Sequence, residues 1–334
     1  MNTRIANVLL VVMLLRASDA TLVAAPLDEW STHGHKDYVP KVVFTHDGTT
    51  VASCSHDGFV KLWDRKTGEL KQTFKGGSPV WRIAVSPDGS LLASGTKDGL
   101  VKLWEIGSGK ELAVLQGHKT AVTSLAFSPD GATLASGGGH PDGNAILWDV
   151  KKRERRRALK ESPEILDFAF SPKDKKTLIG GGLGYDIGVW DISTGERTKT
   201  IKDGVLSIRT VCFSADGATV ISVDHRNIAI RDSKELTRQA TISDAHEEMR
   251  DAALTADGKL IASVGAYDVK ERKGVGLGEL KLWDVKTSTL LTRKKMGREP
   301  CTSVAFAPDG KALIIGNYQG DVELLDVEKL LKEK

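Results

Sequence analysis

The chain has 334 residues, of which 27% are charged and 40% are hydrophobic, a composition that is ordinary for a globular protein. Its formal net charge of +3 lacks the basic excess typical of proteins that bind nucleic acid, so we predict no nucleic-acid partner. The three cysteines, Cys54, Cys212 and Cys301, lack the paired spacing of a disulfide framework or a zinc site. We expect them to be small buried hydrophobic residues, and we predict no metal and no cofactor.

Residues 1–20 have the pattern of a secretory signal peptide. Arg4 precedes an apolar run at positions 8–15, and small residues follow the run up to Ala20. A run of about eight apolar residues is much shorter than the roughly 20 that a membrane-spanning helix needs, so we predict no stable membrane anchor. The pattern predicts cleavage after Ala20 and a protein that is periplasmic or secreted. Arg16, directly behind the run, is atypical of such signals, and a cytoplasmic protein is the alternative.

The rest of the chain consists of seven copies of one pattern. The third copy, residues 117–149, has three short apolar runs separated by two tight turns, and runs of this length are typical of strands. In its first turn Pro129 presets φ for a type I turn, and Gly131 tolerates the left-handed conformation. The corresponding turns of the seven copies are 45–48, 86–89, 128–131, 171–174, 214–217, 255–258 and 307–310.

Each copy closes on a dipeptide, which in most copies is Trp followed by Asp or Glu. The first residues of these dipeptides lie 41, 44, 42, 41, 52 and 42 positions apart and are Trp63, Trp104, Trp148, Trp190, Arg231, Trp283 and Leu325. A period of 40 to 45 residues with such dipeptides is typical of four-stranded propeller blades. Over residues 27–327 the chain resembles the WD-repeat (tryptophan-aspartate repeat) β-propeller family.

The resemblance implies an all-β fold, a seven-bladed β-propeller of four-stranded antiparallel blades around a central channel. The seventh copy ends too early to supply its own fourth strand, because only residues 327–334 follow its closing dipeptide. Since an open ring leaves an exposed strand edge, we expect residues 27–32 to pair with the C-terminal strand, which makes Trp30 a core residue. We assign a propeller domain to residues 21–327 and a charged C-terminal tail to residues 328–334, and we expect a monomer.

Polar residues recur in register within the copies, and the resemblance implies that they form a hydrogen-bonded network inside each blade. In the first and third copies the members of this network are His35, Ser53, Asp57, Trp63, His118, Ser136, Asp142 and Trp148. Such a network is interior, whereas a catalytic nucleophile must meet its substrate. We therefore predict no catalytic residue and no enzymatic activity.

Three of the later copies depart from this pattern. The fifth copy has His225 at the Asp position, and the sixth keeps His246 but has no Asp in register. The seventh copy has Gln319 at the Asp position and Leu325 at the Trp position. Since fewer hydrogen bonds should hold these blades together, we expect faster hydrogen exchange in blades five to seven than in blades one and three.

The resemblance also implies that partners dock on one face of the ring. This face is formed by the loops leading into the innermost strand of each blade, strand A, and by the turns between its second and third strands, B and C. On that face, copies five, six, seven, one and two carry the candidate partner-binding residues Tyr38, His56, Trp81, Lys97, Arg209, Arg250 and Tyr318. Trp, Tyr and Arg are the residue types that dominate interface energetics. We therefore predict a non-catalytic scaffold that binds a protein or peptide of acidic character. Scattered surface residues without a shared role are the alternative interpretation of this set.

A propeller enzyme, or a small-ligand or metal binder, that uses the central channel is the alternative function. Such a protein needs carboxylates or histidines that point into the channel from several innermost strands. The sequence of those strands does not let us nominate such a cluster.

Two segments stand apart from the repeat pattern. The sixth copy has a long loop from Tyr267 to Gly278, which is either a flap that contacts the partner or tolerated extra length. The basic run at 151–157 belongs to the last turn and outer strand of the third copy, where basic side chains discourage edge-to-edge pairing. A contact with an acidic partner is the alternative interpretation of this run.

Overall fold

Seven four-stranded antiparallel sheets, each a blade of a β-propeller, make up the computed structural model of the chain. The described residues are 28–141, 143–159, 164–202, 207–267, 276–297 and 299–333. Within a blade the strands run from the innermost, strand A, to the outermost, strand D, and the A strands of neighbouring blades contact one another in a closed ring. The fold class predicted from the sequence is confirmed.

The strands are numbered in chain order. The first is β1 (Trp30–His33), and blades one and two follow with β2 (Lys41–Phe44), β3 (Thr50–Cys54), β4 (Phe59–Asp64), β5 (Leu70–Lys75), β6 (Val80–Val85), β7 (Leu91–Thr96), β8 (Leu100–Glu105) and β9 (Glu111–Gln116). Blades three and four contain β10 (Val122–Phe127), β11 (Thr133–Gly138), β12 (Ala145–Asp149), β13 (Glu154–Ala158), β14 (Ile165–Phe170), β15 (Thr177–Gly182), β16 (Asp186–Asp191) and β17 (Glu196–Lys202).

The last three blades and the C-terminal helix complete the ring. Blades five and six contain β18 (Thr210–Phe213), β19 (Thr219–Val223), β20 (Ile228–Asp232), β21 (Arg238–Ile242), β22 (Glu248–Leu254), β23 (Leu260–Tyr267), β24 (Leu277–Asp284) and β25 (Leu290–Lys295). Blade seven contains β26 (Cys301–Phe306), β27 (Ala312–Asn317) and β28 (Asp321–Asp326), and the helix α1 (Val327–Lys332) follows.

Burial within a blade falls from the second strand to the outermost strand. Every residue of β3 and of β11 is buried, because a neighbouring blade covers each face of these B strands. In β13, by contrast, four of the five residues are exposed. The core is therefore a set of apolar wedges between adjacent blades, as in the cluster that joins Val101 of blade two to Trp148 of blade three.

Strand β1 closes the ring by pairing antiparallel with β28, with Trp30 opposite Leu324 and His33 opposite Asp321. This confirms the predicted pairing of the chain ends, although the paired strand lies at 30–33 and residue 27 is outside the described residues. Trp30 is partly buried, packs against the apolar cluster between blades seven and one, and donates from Nε1 to the Arg65 carbonyl at 2.8 Å.

The segment expected to be a charged tail contains the short helix α1. The side chain of Asp326 caps its N-terminus by accepting from the Lys329 backbone N–H, and Val327 and Leu330 are buried against blades six and seven. No helix among the described residues has the length and apolar character needed to cross a membrane. The domain boundaries after residues 20 and 327 stay predictions.

Candidate partner-binding site

Irregularities at the start of the A strands place side chains around one mouth of the channel. Five A strands have a β-bulge there, and the residue at the bulge has no partner opposite it in strand B. The two other A strands, β2 and β18, begin only after the corresponding residue. These seven positions, the upper ring, are occupied by Pro40, Trp81, Thr123, Leu166, Arg209, Arg250 and Thr302.

The residue after each of these positions forms a second, deeper set, the lower ring. Its members are Lys41, Arg82, Ser124, Asp167, Thr210, Asp251 and Ser303. In a regular strand consecutive side chains point to opposite faces, but a bulge re-aims them, so both rings can face the channel. All of the upper ring and five members of the lower ring line one cavity of about 550 Å³.

The structure brings six of the seven predicted partner-binding residues together at this cavity. They are Tyr38, His56, Trp81, Arg209, Arg250 and Tyr318. The seventh, Lys97, is exposed and does not line the cavity. Burial is the main cause that lowers the pKa of His56, and the Lys97 charge acts in the same direction. Their role in binding a partner stays a proposal.

Four aromatic rings in mutual contact form one side of the mouth, which we call the aromatic arc: Trp81, His56, Tyr38 and Tyr318. The ring centroids of His56 and Trp81 are 4.9 Å apart, and those of Tyr38 and His56 are 4.6 Å apart. Tyr38 stacks on Tyr318 at 4.6 Å, and the guanidinium of Arg250 lies 5.5 Å from the Tyr318 ring centroid. Because each ring is held by the next, the arc is a preorganised surface.

Two arginines of the upper ring lie beside this arc. Arg250 forms an ion pair of 2.7 Å with Glu248, whereas Nη2 of Arg209 lies 3.4 Å from Nδ1 of His225. Burial and the neighbouring Arg250 charge lower the pKa of Arg209. Two cations held close together in a partly buried mouth favour the approach of an anion.

Asp251 in the lower ring joins three other blades. Its carboxylate accepts from Lys41 Nζ at 2.9 Å, from Thr210 Oγ1 at 2.9 Å and from Ser303 Oγ at 2.8 Å. Burial alone would raise the pKa of Asp251, but the Lys41 charge and these hydrogen bonds outweigh it and lower the pKa. Asp251 is thus an ionised structural centre that fixes blades five, six, seven and one to one another.

Asp167, in the same ring, has a contrasting environment. Among the described residues, only the Val211 backbone N–H donates a hydrogen bond to it, at 3.0 Å. Burial raises its pKa to about 6, and the charge of Asp251 adds to the shift while Lys41 opposes it. Of two carboxylates in one channel, the better solvated by hydrogen bonds keeps its charge at lower pH.

The carboxylates of the lower ring are the residues that the sequence analysis missed. We could nominate no channel carboxylates from the innermost strands, yet Asp167 and Asp251 both line the cavity. The available signal was their position: Asp251 directly follows Arg250, which the sequence placed on the partner-binding face, and Asp167 occupies the corresponding position in the fourth copy.

In blades one and three, the described members of the predicted internal network lie within hydrogen-bonding distance of one another. His35 lies 3.0 Å from Asp57 and 2.8 Å from Ser53, and Trp63 Nε1 donates to the same Ser53 hydroxyl at 2.8 Å. In blade three His118 and Trp148 both lie 2.7 Å from Ser136 Oγ. Asp142 is outside the described residues.

Blade six has no Asp in register, as expected, but a glutamate lies beside its histidine. Glu279 on β24 lies 3.3 Å from His246 Nδ1, and His246 Nε2 lies 2.9 Å from Ser263 Oγ. Trp283 Nε1 donates to the same hydroxyl at 2.8 Å. The longer Glu side chain, two positions closer to the Trp than the Asp of other copies, supplies the carboxylate.

Blades five and seven do depart from the pattern. Arg231 replaces Trp in blade five and donates to Ser222 Oγ at 3.3 Å and to the Leu236 carbonyl at 2.8 Å. In blade seven Leu325 is buried and has no side-chain donor.

The remaining predicted features are placed as follows. Cys54 and Cys301 are buried, Cys212 is half-buried, and none of the three forms a disulfide. Among the described residues, no group of three or more His, Cys, Asp or Glu side chains could hold a metal ion. The basic run at 151–157 includes part of the outer strand β13, and residues 268–275 of the sixth-blade loop lie outside the described residues.

Comparison with known proteins identifies the family. A family model described as "IFT122 first beta-propeller" matches residues 79–330, and a model described as "WD domain, G-beta repeat" matches residues 28–64. The chain belongs to the WD-repeat β-propeller family.

Three relatives show how this WD-repeat chain is related to curated proteins. It is 24% identical over 312 residues to eukaryotic translation initiation factor 3 subunit I of Bombyx mori, covering 87% of this chain and 93% of that protein. It is 29% identical over 247 residues to the small ribosomal subunit protein RACK1y of Oryza sativa subsp. japonica, covering 57% of this chain and 72% of that protein. It is 32% identical over 246 residues to apoptotic protease-activating factor 1 of Rattus norvegicus, covering 58% of this chain but 19% of that protein. WD-repeat relatives are mostly non-catalytic proteins that mediate protein–protein interactions.

The prediction that this WD-repeat protein is exported is wrong. Its relatives include a translation initiation factor subunit and a small ribosomal subunit protein, whose names place them in machinery that works inside the cell. A short apolar run between two basic residues is a weak pattern for export, and residues 1–20 lie outside the described residues.

Proposed function

We propose that this WD-repeat protein is a non-catalytic scaffold that binds a protein or peptide partner at the channel mouth, through the upper ring and the aromatic arc. One observation carries the proposal. Six residues chosen from the sequence as interface residues, drawn from five blades, line a single cavity.

The physical character of the mouth supports binding rather than chemistry. Trp, Tyr and Arg side chains are enriched where interfaces have most of their binding energy. The arc is already ordered by its own stacking, so binding against it loses little side-chain entropy. In the lower ring, Asp251 has its oxygens engaged by Lys41, Thr210 and Ser303, which makes it a poor general base.

Site-specific cross-linking tests the location of the interface. A photo-reactive residue at Tyr318, which is 37% exposed at the mouth, should cross-link a partner protein, which mass spectrometry then identifies. The same probe at Leu290, which is 43% exposed on the outer strand β25, should not cross-link that protein.

A triple substitution then tests the residues. Trp81→Ala, Arg209→Ala and Arg250→Ala together should abolish capture of the identified partner without lowering the melting temperature, because these side chains line a cavity rather than a core. Lys151→Ala, Lys152→Ala and Arg155→Ala, all exposed on the third blade, form the matched control and should retain capture. Retained capture by the mouth variant would refute the proposed interface.

A further inference from the structure

The two cations of the lower ring have different surroundings. Lys41 is paired with Asp251 at 2.9 Å. Arg82 donates from Nη1 to the Trp81 carbonyl at 3.0 Å, and no carboxylate of the described residues lies within 4.0 Å of its guanidinium. Arg82 is half-buried in the cavity wall. It is therefore a partly desolvated cation without an ionic partner, an arrangement that an incoming anion stabilises.

The mouth above Arg82 also contains hydrogen-bonding capacity that no described residue uses. Four buried side-chain nitrogens lack a partner: Nε2 of His56, Nε1 of Trp81, and Nε of both Arg209 and Arg250. The indole and guanidinium nitrogens can only donate. All four residues line the cavity, and buried donors are normally paired, so a ligand rich in acceptors that reached these nitrogens would stabilise the mouth.

The acidic groups near the mouth do not fill this need. Glu248 is paired with Arg250, and Asp37 accepts from the Tyr38 backbone N–H at 2.7 Å. Asp167 lies in the same ring as Arg82 without forming an ion pair with it, although the Arg82 charge acts to lower the pKa of Asp167. The Asp167 carboxylate repels any acidic group that enters the channel, so the single cation Arg82 can offset one such group but not several. The cavity is therefore suited to one acidic side chain rather than to an acidic run.

We propose that the partner inserts a single Asp or Glu side chain into the channel, where its carboxylate binds Arg82, while the flanking peptide lies on the aromatic arc. This inference rests on the proposed function, since it specifies the chemistry of the same interface. Arg82 is the anchor, and Trp81 and Arg209 of the upper ring line the same cavity and each have a buried nitrogen without a hydrogen-bond partner.

Defined peptides test the chemistry without knowledge of the natural partner. Acetylated and amidated nonapeptides with randomised flanks and a fixed central Glu, Gln, Lys or phosphoserine are labelled with a neutral fluorophore. Binding to the full-length protein is then measured by fluorescence anisotropy at fixed salt. The wild-type protein should prefer the Glu pool over the Gln pool by about tenfold, as expected for a charge-assisted hydrogen bond in a partly desolvated site.

Two variants assign the preference to Arg82. Arg82→Gln should reduce binding of the Glu pool to the level of the Gln pool, whereas Arg155→Gln, an exposed arginine on β13, should leave the preference unchanged. Circular dichroism and the melting temperature confirm that Arg82→Gln is folded. Equal binding of the Glu and Gln pools by the wild-type protein, or equal losses in the two variants, would overturn the proposal. A preference for phosphoserine over Glu of more than tenfold would also overturn it, in favour of a phosphate ligand.

The peptide result is separable from the test of the proposed function. If the triple mouth variant loses its partner but no acidic preference is found, the interface stands and the acidic anchor is rejected. If partner capture survives the triple variant, the interface itself is rejected, whatever the peptides show.

Discussion

The serine hydroxyl on strand B connects the two most characteristic side chains of each complete blade. In blade one Ser53 accepts from Trp63 Nε1 and lies 2.8 Å from His35 Nε2, and all three residues are buried. These contacts satisfy polar groups that would be costly if left unpaired in the interior. The residues that reveal the family are thus used internally and leave the choice of partner to other positions.

Asp167 gives a pH-dependent prediction at the same scale. Its folded-state pKa is raised by burial to about 6, from an ordinary value near 3.8, so the folded protein holds a proton that the unfolded chain has released between these pH values. The stabilising contribution of the protonated form is complete below about pH 4 and is lost as the pH rises through about 6.

We therefore expect Asp167→Asn to stabilise the protein relative to wild type at pH 7 more than at pH 4. A two-unit shift corresponds to roughly 3 kcal/mol, which is an upper bound for the difference between the two pH values. Asn can still accept the hydrogen bond from the Val211 N–H. Urea unfolding at pH 4, 5, 6 and 7 measures the effect, and a difference that is the same at every pH would show that Asp167 ionises normally.

At the level of single residues, the sequence located the upper ring but not the lower ring. Trp81 and Arg250 could be found because each occupies the corresponding position in its repeat. Their successors Arg82 and Asp251 were missed, since the two-residue period of a strand assigns consecutive side chains to opposite faces. Both residues can face the channel only because a bulge interrupts this alternation, as the register shift between Met249 and Asp251 shows. Short-range sequence patterns do not specify where such a bulge occurs.

At the scale of the strand and the blade, the repeat period predicted element number and order well. The regular spacing of turn tetrapeptides and closing dipeptides fixes where four strands can fit, which is why the blades could be counted. Side-chain substitutions between copies were harder to interpret. Glu279 replaces the missing Asp of blade six from a different position in the repeat, a compensation that depends on the reach of its side chain to His246.

This compensation changes the expected distribution of hydrogen exchange among blades. We expect the amides of the B strands β3, β11 and β23, in blades whose network is formed, to exchange more slowly than those of β19 and β27. Blade five has the longer Arg231–Ser222 contact of 3.3 Å, and blade seven has Leu325 at the donor position. Exchange resolved by mass spectrometry at the level of peptides measures this order. Exchange in β23 as fast as in β19 and β27 would favour the original grouping of blades five to seven.

At the scale of the whole molecule, the two ends of the chain share the task of closing the ring. Besides the β1–β28 ladder, His33 Nδ1 lies 2.7 Å from Asp321, and Glu29 contacts Lys329 at the start of α1. Without β1, strand β28 would present an unpaired edge to solvent, and such edges recruit other chains. Closure is therefore expected to contribute both to stability and to the monomeric state that we predict.

Two truncations that differ by residues 28–33, which contain β1 and Glu29, test this contribution. A protein that begins at Gly34 lacks the strand, and one that begins at Asp28 keeps it and is the matched reference. We expect the shorter protein to melt at a temperature lower by several degrees, because it loses the ladder and the packing of Trp30, and to associate as its concentration rises. Trp30→Ala, which keeps the ladder but removes the indole, should cost about 2 kcal/mol, since its side chain is only partly buried, and should stay monomeric. Differential scanning calorimetry and light scattering at several concentrations give the two readouts. If the proteins starting at Gly34 and Asp28 have the same melting temperature and both remain monomeric, then the packing between neighbouring blades closes the ring without the terminal strand.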